Sequence, residues 1–332
     1  MERTKRSTAP KLDSLDLKLV EELEIDARQS LRDIAGKVGS NPETIRRKLK
    51  NLLDSRVISI HAICDVVALG FDTRALITLK VRPGTASSVA DRLQEYHSIH
   101  KISLTAGHYD ILLSTNFLNK RALISFLEGE LGSITDILEA STMMLLQLRK
   151  NSFRYLHGET TEMKHIPPYE PDEWDLKLMK ELELEPRELV GNLGKKIGMN
   201  RISAGKKLQA LMDKDIIRVV SIIDPLSFDF QSEVVILVKT HPRQITSVAD
   251  RMVTDGRVHH VGIITGPYNL FLAAIFRDSM ELSGFLADEL GMVSGVISHE
   301  TMVILTSPRL CFFAATQRDA IKSTRKSPDK GA

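Results

Sequence analysis

Hydrophobic and polar positions alternate in two distinct rhythms along this chain, and each rhythm occurs twice. In the first stretch the period is helical. Leu15, Leu19, Val20 and Leu23 mark one face of a helix over 14–25, with Asp13 or Ser14 available to cap it. Leu31, Ile34, Ala35 and Val38 mark a second helix over 30–38, which Ser30 caps and Gly39 ends. Ile45, Leu49, Leu52 and Leu53 give the buried face of a third, over 42–54. The period then shortens. VISIHAICD at 57–65 alternates as a strand does, either a wing or a link. Beyond it the pattern predicts strand 74–81, helix 85–96, strand 99–106, a GHYD turn, strand 111–116, helix 120–131 and strand 137–147. That order is βαββαβ, a ferredoxin-like sandwich.

The whole series recurs. LDLKLVEELE at 15–24 matches WDLKLMKELE at 174–183, VADRL at 89–93 matches VADRM at 248–252, and FLEGELG at 126–132 matches FLADELG at 285–291, every pair offset by 159 positions. GHYD at 107–110 returns as GPYN at 266–269. A repeat this long is a duplicated domain pair and not a solenoid unit. The expected organisation is a basic arm at 1–12, a helix-turn-helix at 13–65, a βαββαβ unit at 66–150, a linker at 151–171, a second helix-turn-helix at 172–224, a second βαββαβ unit at 225–310, and a largely disordered tail at 311–332. The fold class is α+β: two winged helix-turn-helix domains and two ferredoxin-like domains. The linker is long enough for the domains to pair within the chain or between chains, and the central hairpin strands are the expected seam.

Composition fits a globular chain, 42% apolar and 27% charged, with no apolar run long enough for a membrane span and no signal peptide at the start. Two cysteines allow no Cys-rich metal site, and a cytoplasmic location follows as the default. Net charge is only +2, so any attraction for nucleic acid must be local. It is local: window 41–56 holds five Arg or Lys against Glu43 and Asp54. The third helix of a helix-turn-helix enters the DNA major groove. Thr44, Arg46, Arg47, Lys48 and Lys50 are therefore the candidate contacts, with Arg201, Ser203, Lys206 and Lys207 in the second copy. Gly205 stands where the first copy has Arg46, so the second reader helix is expected to be the weaker. No P-loop, dinucleotide fingerprint or nucleophile elbow is present, so no cofactor and no enzymatic activity are expected.

LDLKLVEELEIDARQSLRDIAGKVG, TIRRKLKNLLDSRVI and TAGHYDILL, with their second-copy counterparts, resemble the Lrp/AsnC family of transcription regulators over 13–150 and again over 172–309. The resemblance implies that paired helix-turn-helix units read double-stranded DNA. It implies that the βαββαβ (RAM-type) units oligomerise and bind a small-molecule effector, commonly an amino acid, near the Gly-x-Tyr-Asp hairpin. Gly107, Tyr109 and Asp110 would then line one effector site, and Gly266, Tyr268 and Asn269 the related one. A homo-oligomer or an intramolecular pseudo-dimer is implied. The chain departs from the family at Arg56 and Asp215, where a glycine is usual, and at Pro267 and Asn269 in the second turn. Loss of the carboxylate at Asn269 removes an acceptor for a ligand ammonium, so the first copy is the expected amino-acid sensor.

Siroheme decarboxylases share this architecture, sometimes as fused tandem chains, and hold a tetrapyrrole with histidines. His260 lies where one such histidine would fall, but GPYN lacks the flanking His and Arg, and the first copy has Lys101 there. His259 and His260 are adjacent on a strand and point to opposite faces, a poor metal chelate, so both are expected at the surface or an interface. A third possibility, an effector module that no longer binds DNA, predicts unbiased charge on the third helices.

Overall fold

A computed structural model of the protein describes residues 12–156 and 166–310. The predicted basic arm, the middle of the linker and the tail after Leu310 lie outside those residues.

The first copy runs α1 (Ser14–Ile25), α2 (Leu31–Val38), α3 (Pro42–Asp54), β1 (Ile58–Cys64), β2 (Thr73–Val81), α4 (Ala86–Leu93), β3 (Ile99–Ala106), β4 (Ile111–Phe117), α5 (Lys120–Ser125) and β5 (Ile137–Asn151). The second repeats it: α6 (Glu173–Leu184), α7 (Val190–Ile197), α8 (Arg201–Asp213), β6 (Ile217–Ile223), β7 (Ser232–Thr240), α9 (Ile245–Val253), β8 (Val258–Ile264), β9 (Leu270–Phe276), α10 (Ser279–Gly284) and β10 (Val296–Leu310). After α5 and α10 the helix continues as one π-type turn, Phe126–Leu131 and Phe285–Leu290. The caps fall where the sequence puts them. Asp13 and Asp16 form a reciprocal capping box, Ser30 accepts the Asp33 N–H, and Gly39 ends α2 in the left-handed region. Arg56 and Asp215, the two departures from glycine, both take positive φ, 57° and 55°. Leu53 is 36% exposed and is not part of the buried face assigned to it; Leu52 alone turns into the core there.

The strands close into one eight-stranded barrel, ordered β10-β3-β4-β2-β5-β8-β9-β7. Each copy supplies a four-stranded sheet, and the seams are β5 with β8 and β10 with β3. Contrary to the sequence expectation, the hairpin strands of the two copies do not pair with each other; β3 pairs with β10 and β8 with β5. β4 and β9 already have a neighbour on each side, so the open edges are β3, β5, β8 and β10, and edge pairing removes them all. Strand alternation divides the core: Ile77 and Leu113 pack under their own copy's helices, while Leu76 and Leu112 face the other sheet.

Of the two roles open to 57–65, β1 takes the linking one. It pairs antiparallel with β6 in a two-stranded ribbon, and His61 lies opposite Val220, its own duplicate, so a pseudo-two-fold axis passes through that pair. The helical domains interleave with the ribbon. Ile223 of the second copy joins the core of the first helix-turn-helix, and Ala62, Leu69 and Phe71 of the first join that of the second.

Two reciprocal locks hold the copies together. Arg28 donates to the Pro186 carbonyl and, at 2.9 Å, to the Glu188 carbonyl. Its duplicate Arg187 donates to the Ala27 carbonyl and, at 2.8 Å, to that of Gln29. On the barrel, Lys150 at 1% exposure donates to the carbonyls of Val253 at 3.0 Å and Asp255 at 2.8 Å. Its duplicate Arg309 donates to the Gln94 carbonyl. Both cations sit at the C-terminus of the other copy's helix, where the helix dipole favours positive charge. Ordered contacts also extend into the segment predicted as linker: the Tyr155 and Leu156 N–H groups donate to Glu24 at 3.0 and 3.1 Å.

Candidate nucleic-acid interface and ligand cavity

Asn41 caps α3 by accepting the Thr44 N–H at 2.8 Å, and Pro42 opens the helix. Ile45, Leu49 and Leu52 bury one face, which leaves Arg46, Arg47 and Lys50 exposed on the other. Arg46 pairs with Glu43 one turn earlier at 2.7 Å, an exposed contact that DNA phosphates can displace. Lys48 is placed differently. Its side chain is 17% exposed and bridges Asp13 at 2.7 Å and Asp16 at 2.8 Å, pinning α3 to the N-terminus of α1. The hydrogen bond from Lys48 holds the Asp13 carboxyl down at about 2. In the second copy Asn200 accepts the Ser203 N–H, Arg201 and Lys206 are exposed, and Lys207 bridges Asp172 and Asp175, both at 2.7 Å. Sequence reasoning gave Lys48 and Lys207 to DNA. The signal that places them in the fold instead was present: an Asp-x-x-Asp capping box opens the first helix of both copies.

The hairpins turn against the opposite copy. Gly107 has φ 140°, and a Cβ there would lie 3.0 Å from the Thr301 carbonyl oxygen on β10. Gly266 has φ 112°, and its Cβ would lie 3.2 Å from Met143 on β5. Glycine serves both the turn and the close approach. Tyr109 is buried at 7% exposure and Tyr268 packs beside the same inter-sheet cluster, with Leu76, Leu112, Val235 and Phe271. The Asp110 carboxylate accepts the Val81 N–H at 2.8 Å, and the Asn269 side-chain oxygen accepts the Thr240 N–H at 2.9 Å. An acid and an amide thus do the same structural work, because each needs only one acceptor oxygen.

Between the ribbon and the barrel lies a cavity of about 350 Å³ that both copies line. Sequence reasoning did not find it, because its walls come from ten strands far apart in the chain. Its polar lining includes Arg74, His100, Lys101, Arg218, Glu233 and His260. Lys101 pairs with Glu233 at 3.1 Å. His259, which was expected at the surface or an interface, is buried at 2% exposure on the copy–copy seam; it stacks near Tyr155, and its Nε2 has no hydrogen-bond partner among the described residues. Burial, then nearby cations, pushes His100 down to about 4 and His259 and His260 down to about 3, so all three are neutral near pH 7.

Comparison with known proteins gives the family. The AsnC-type helix-turn-helix domain matches residues 12–53, and the Lrp/AsnC ligand binding domain matches twice, at 74–155 and 233–310. The HTH-type transcriptional regulator FL11 of Pyrococcus furiosus is 34% identical over 153 residues, 46% of this chain and 95% of that protein. Ptr1 of Methanocaldococcus jannaschii, also an HTH-type transcriptional regulator, is 26% identical over 141 residues, 42% of this chain and 95% of its own. Among solved structures, the siroheme decarboxylase NirDL shares the fold along the whole length, with TM-score 0.62, 95% of this chain and 100% of that chain covered, and 14% identity. The chain therefore belongs to the Lrp/AsnC family: it is a transcriptional regulator that joins DNA-binding and ligand-binding domains in a duplicated chain.

Proposed function

We propose that the protein is a cytoplasmic regulator that reads double-stranded DNA as an intramolecular pseudo-dimer and responds to a small-molecule effector. The observation that carries this reading is the exposed basic face of α3, set in fixed relation to α8 by the Arg28–Arg187 lock. Arg46, Arg47 and Lys50 are the proposed first-copy contacts, with Thr44 at the helix start; Arg201, Ser203 and Lys206 are their weaker counterparts. Lys48 and Lys207 act by holding the reader helices in place. Unlike helices related by a pseudo-dyad fit an imperfect palindrome.

The family resemblance supports an amino acid as effector, bound at the copy–copy seam beside the hairpins of Gly107, Tyr109 and Asp110 and of Gly266, Tyr268 and Asn269. Calorimetry with amino acids tests this: binding retained in Asp110→Ala but lost in Asn269→Ala would contradict a sensor in the first copy. A tetrapyrrole enzyme has less support. The likeness to NirDL is one of fold, and the basic reader helix would have no part in that chemistry.

The deciding experiment is a gel shift with genomic fragments, beginning upstream of the protein's own gene, at two salt concentrations with excess competitor. Salt-sensitive, competitor-resistant binding that Arg47→Ala/Lys50→Ala loses is the expected result. The absence of a specific complex on any fragment, with or without amino acids, would refute the reading.

A further inference from the structure

The cavity between ribbon and barrel carries two arginines with no direct hydrogen-bonded or ion-paired partner among the described residues. Arg74 on β2 and Arg218 on β6 both line it, and burial lowers the basicity of each. Neither forms a hydrogen bond or ion pair with another described residue. Asp215 lies within the field of Arg218, and Asp65, which also lines the cavity, lies within the field of both; one Asp65 oxygen, Oδ1, accepts the Ala68 N–H at 2.7 Å. Lys101 and Glu233 answer each other, and the two histidines of the lining are uncharged. A half-buried guanidinium is costly without an anion, and its planar fork suits a carboxylate. Leu76, Leu112, Val235 and Phe271 give the wall an apolar stretch. A cavity of about 350 Å³ falls within the range of small-molecule sites.

We propose that this cavity binds an organic carboxylate with an apolar body, the carboxylate held by Arg74 and Arg218 and the body packed on the inter-sheet wall. The duplication makes the site one-sided. The duplicate of Arg74 is Glu233, and that of Arg218 is Ser59, so the cavity has a single cationic lobe although it spans a pseudo-dyad. Identical subunits would place the same groups at both ends. The ligand would bridge β6, which carries the reader domains, to β2 of the barrel. It would also rest on the wall against which Tyr109 and Tyr268 pack. Only this regulatory consequence rests on the proposed function; the site itself does not.

The test uses the full chain and 4-phenylbutyrate as probe, with the uncharged 4-phenylbutanol as control. Calorimetry is expected to show a single saturable event for the carboxylate, at least tenfold weaker in Arg74→Gln/Arg218→Gln, and no comparable event for the alcohol. In wild-type protein the ring signals of His100 and His260, assigned with His100→Gln and His260→Gln, should move as the probe binds. The proposal is overturned by no binding at millimolar probe, by binding that the double variant retains, or by equal binding of the alcohol. If the double variant does not fold, the wild-type ring signals decide, since a bound probe that leaves both rings unmoved lies elsewhere. DNA binding is assayed separately. A chain that takes the probe and ignores DNA would remove the regulator reading and leave this one standing.

Discussion

The two copies of this chain agree where they hold each other and differ where they face something else. Arg28 and Arg187 make reciprocal bonds, Lys150 and Arg309 cap equivalent helices, Lys48 and Lys207 bridge equivalent aspartates, and Asp110 and Asn269 accept equivalent N–H groups. On the exposed reader helices and in the cavity the pairs diverge: Arg46 against Gly205, Lys50 against Gln209, Arg74 against Glu233, Lys101 against His260. A pseudo-dimer in one chain keeps the geometry of a symmetric assembly and frees each half to change its surface. The difference separates residues that make the assembly from residues that use it, and each pair can be set against its duplicate.

The largest expected effect comes from the histidines on the seam and in the cavity. His100, His259 and His260 ordinarily titrate near 6.5 and are held down at about 4, 3 and 3 in the fold. Between those values the unfolded chain binds more protons than the folded one, so stability is full above pH 6.5 and falls as pH drops below it. Each should cost roughly 2 kcal/mol between pH 7 and 5. Glu24, pushed up to about 7 by burial, works the other way and offsets part of this loss. Denaturant unfolding at pH 7 and 5 should show the net loss, and His260→Gln should shrink it by that histidine's share, whereas the duplicate Lys101→Gln, which only removes a cation that helps hold His100 and His260 down, should shrink it less. An equal pH response in both variants would show that the copies do not differ here.

Next comes the barrel lock. Lys150→Met leaves the Val253 and Asp255 carbonyls without their donor and should cost about 3 kcal/mol. Arg309→Met, at a more open position with one carbonyl to satisfy, should cost about 1 kcal/mol. Thermal unfolding distinguishes them, and a larger loss at Arg309 would reverse the ranking.

The reader helices follow. Arg47→Ala/Lys50→Ala should reduce the salt slope of DNA binding by about two and Lys206→Ala by about one, with affinity falling roughly tenfold or more in the first case. Equal effects from the two copies would mean that Gly205 does not weaken α8.

Much of this molecule could be read from its pattern of residues. The period change from helix to strand, the caps at Asp13 and Ser30, and the 159-residue offset place nearly every element. What could not be read is what two distant stretches do to each other. Lys48 looks like part of a basic run until α1 brings Asp13 and Asp16 beneath it. Arg74 and Arg218 are 144 positions apart, on different elements, and only the closed barrel puts them on one cavity. Periodicity reports which side of an element is buried, but not which element of the other copy buries it.

The smallest expected effect is the most informative about the hairpins. The family resemblance gives Asp110 to the ligand, whereas the fold gives one of its oxygens to the Val81 N–H. Asn269 makes the equivalent bond as an amide. Asp110→Asn should therefore leave stability within about 0.5 kcal/mol, because the amide oxygen replaces the carboxylate oxygen at the same N–H. Asp110→Ala should cost about 1–2 kcal/mol, because it orphans that N–H. If amino-acid binding falls in Asp110→Asn while stability holds, the second carboxylate oxygen serves a ligand and the two hairpins differ in function. If binding and stability both hold, the acid is a turn residue, and the hairpins differ only in the way the two copies were allowed to drift.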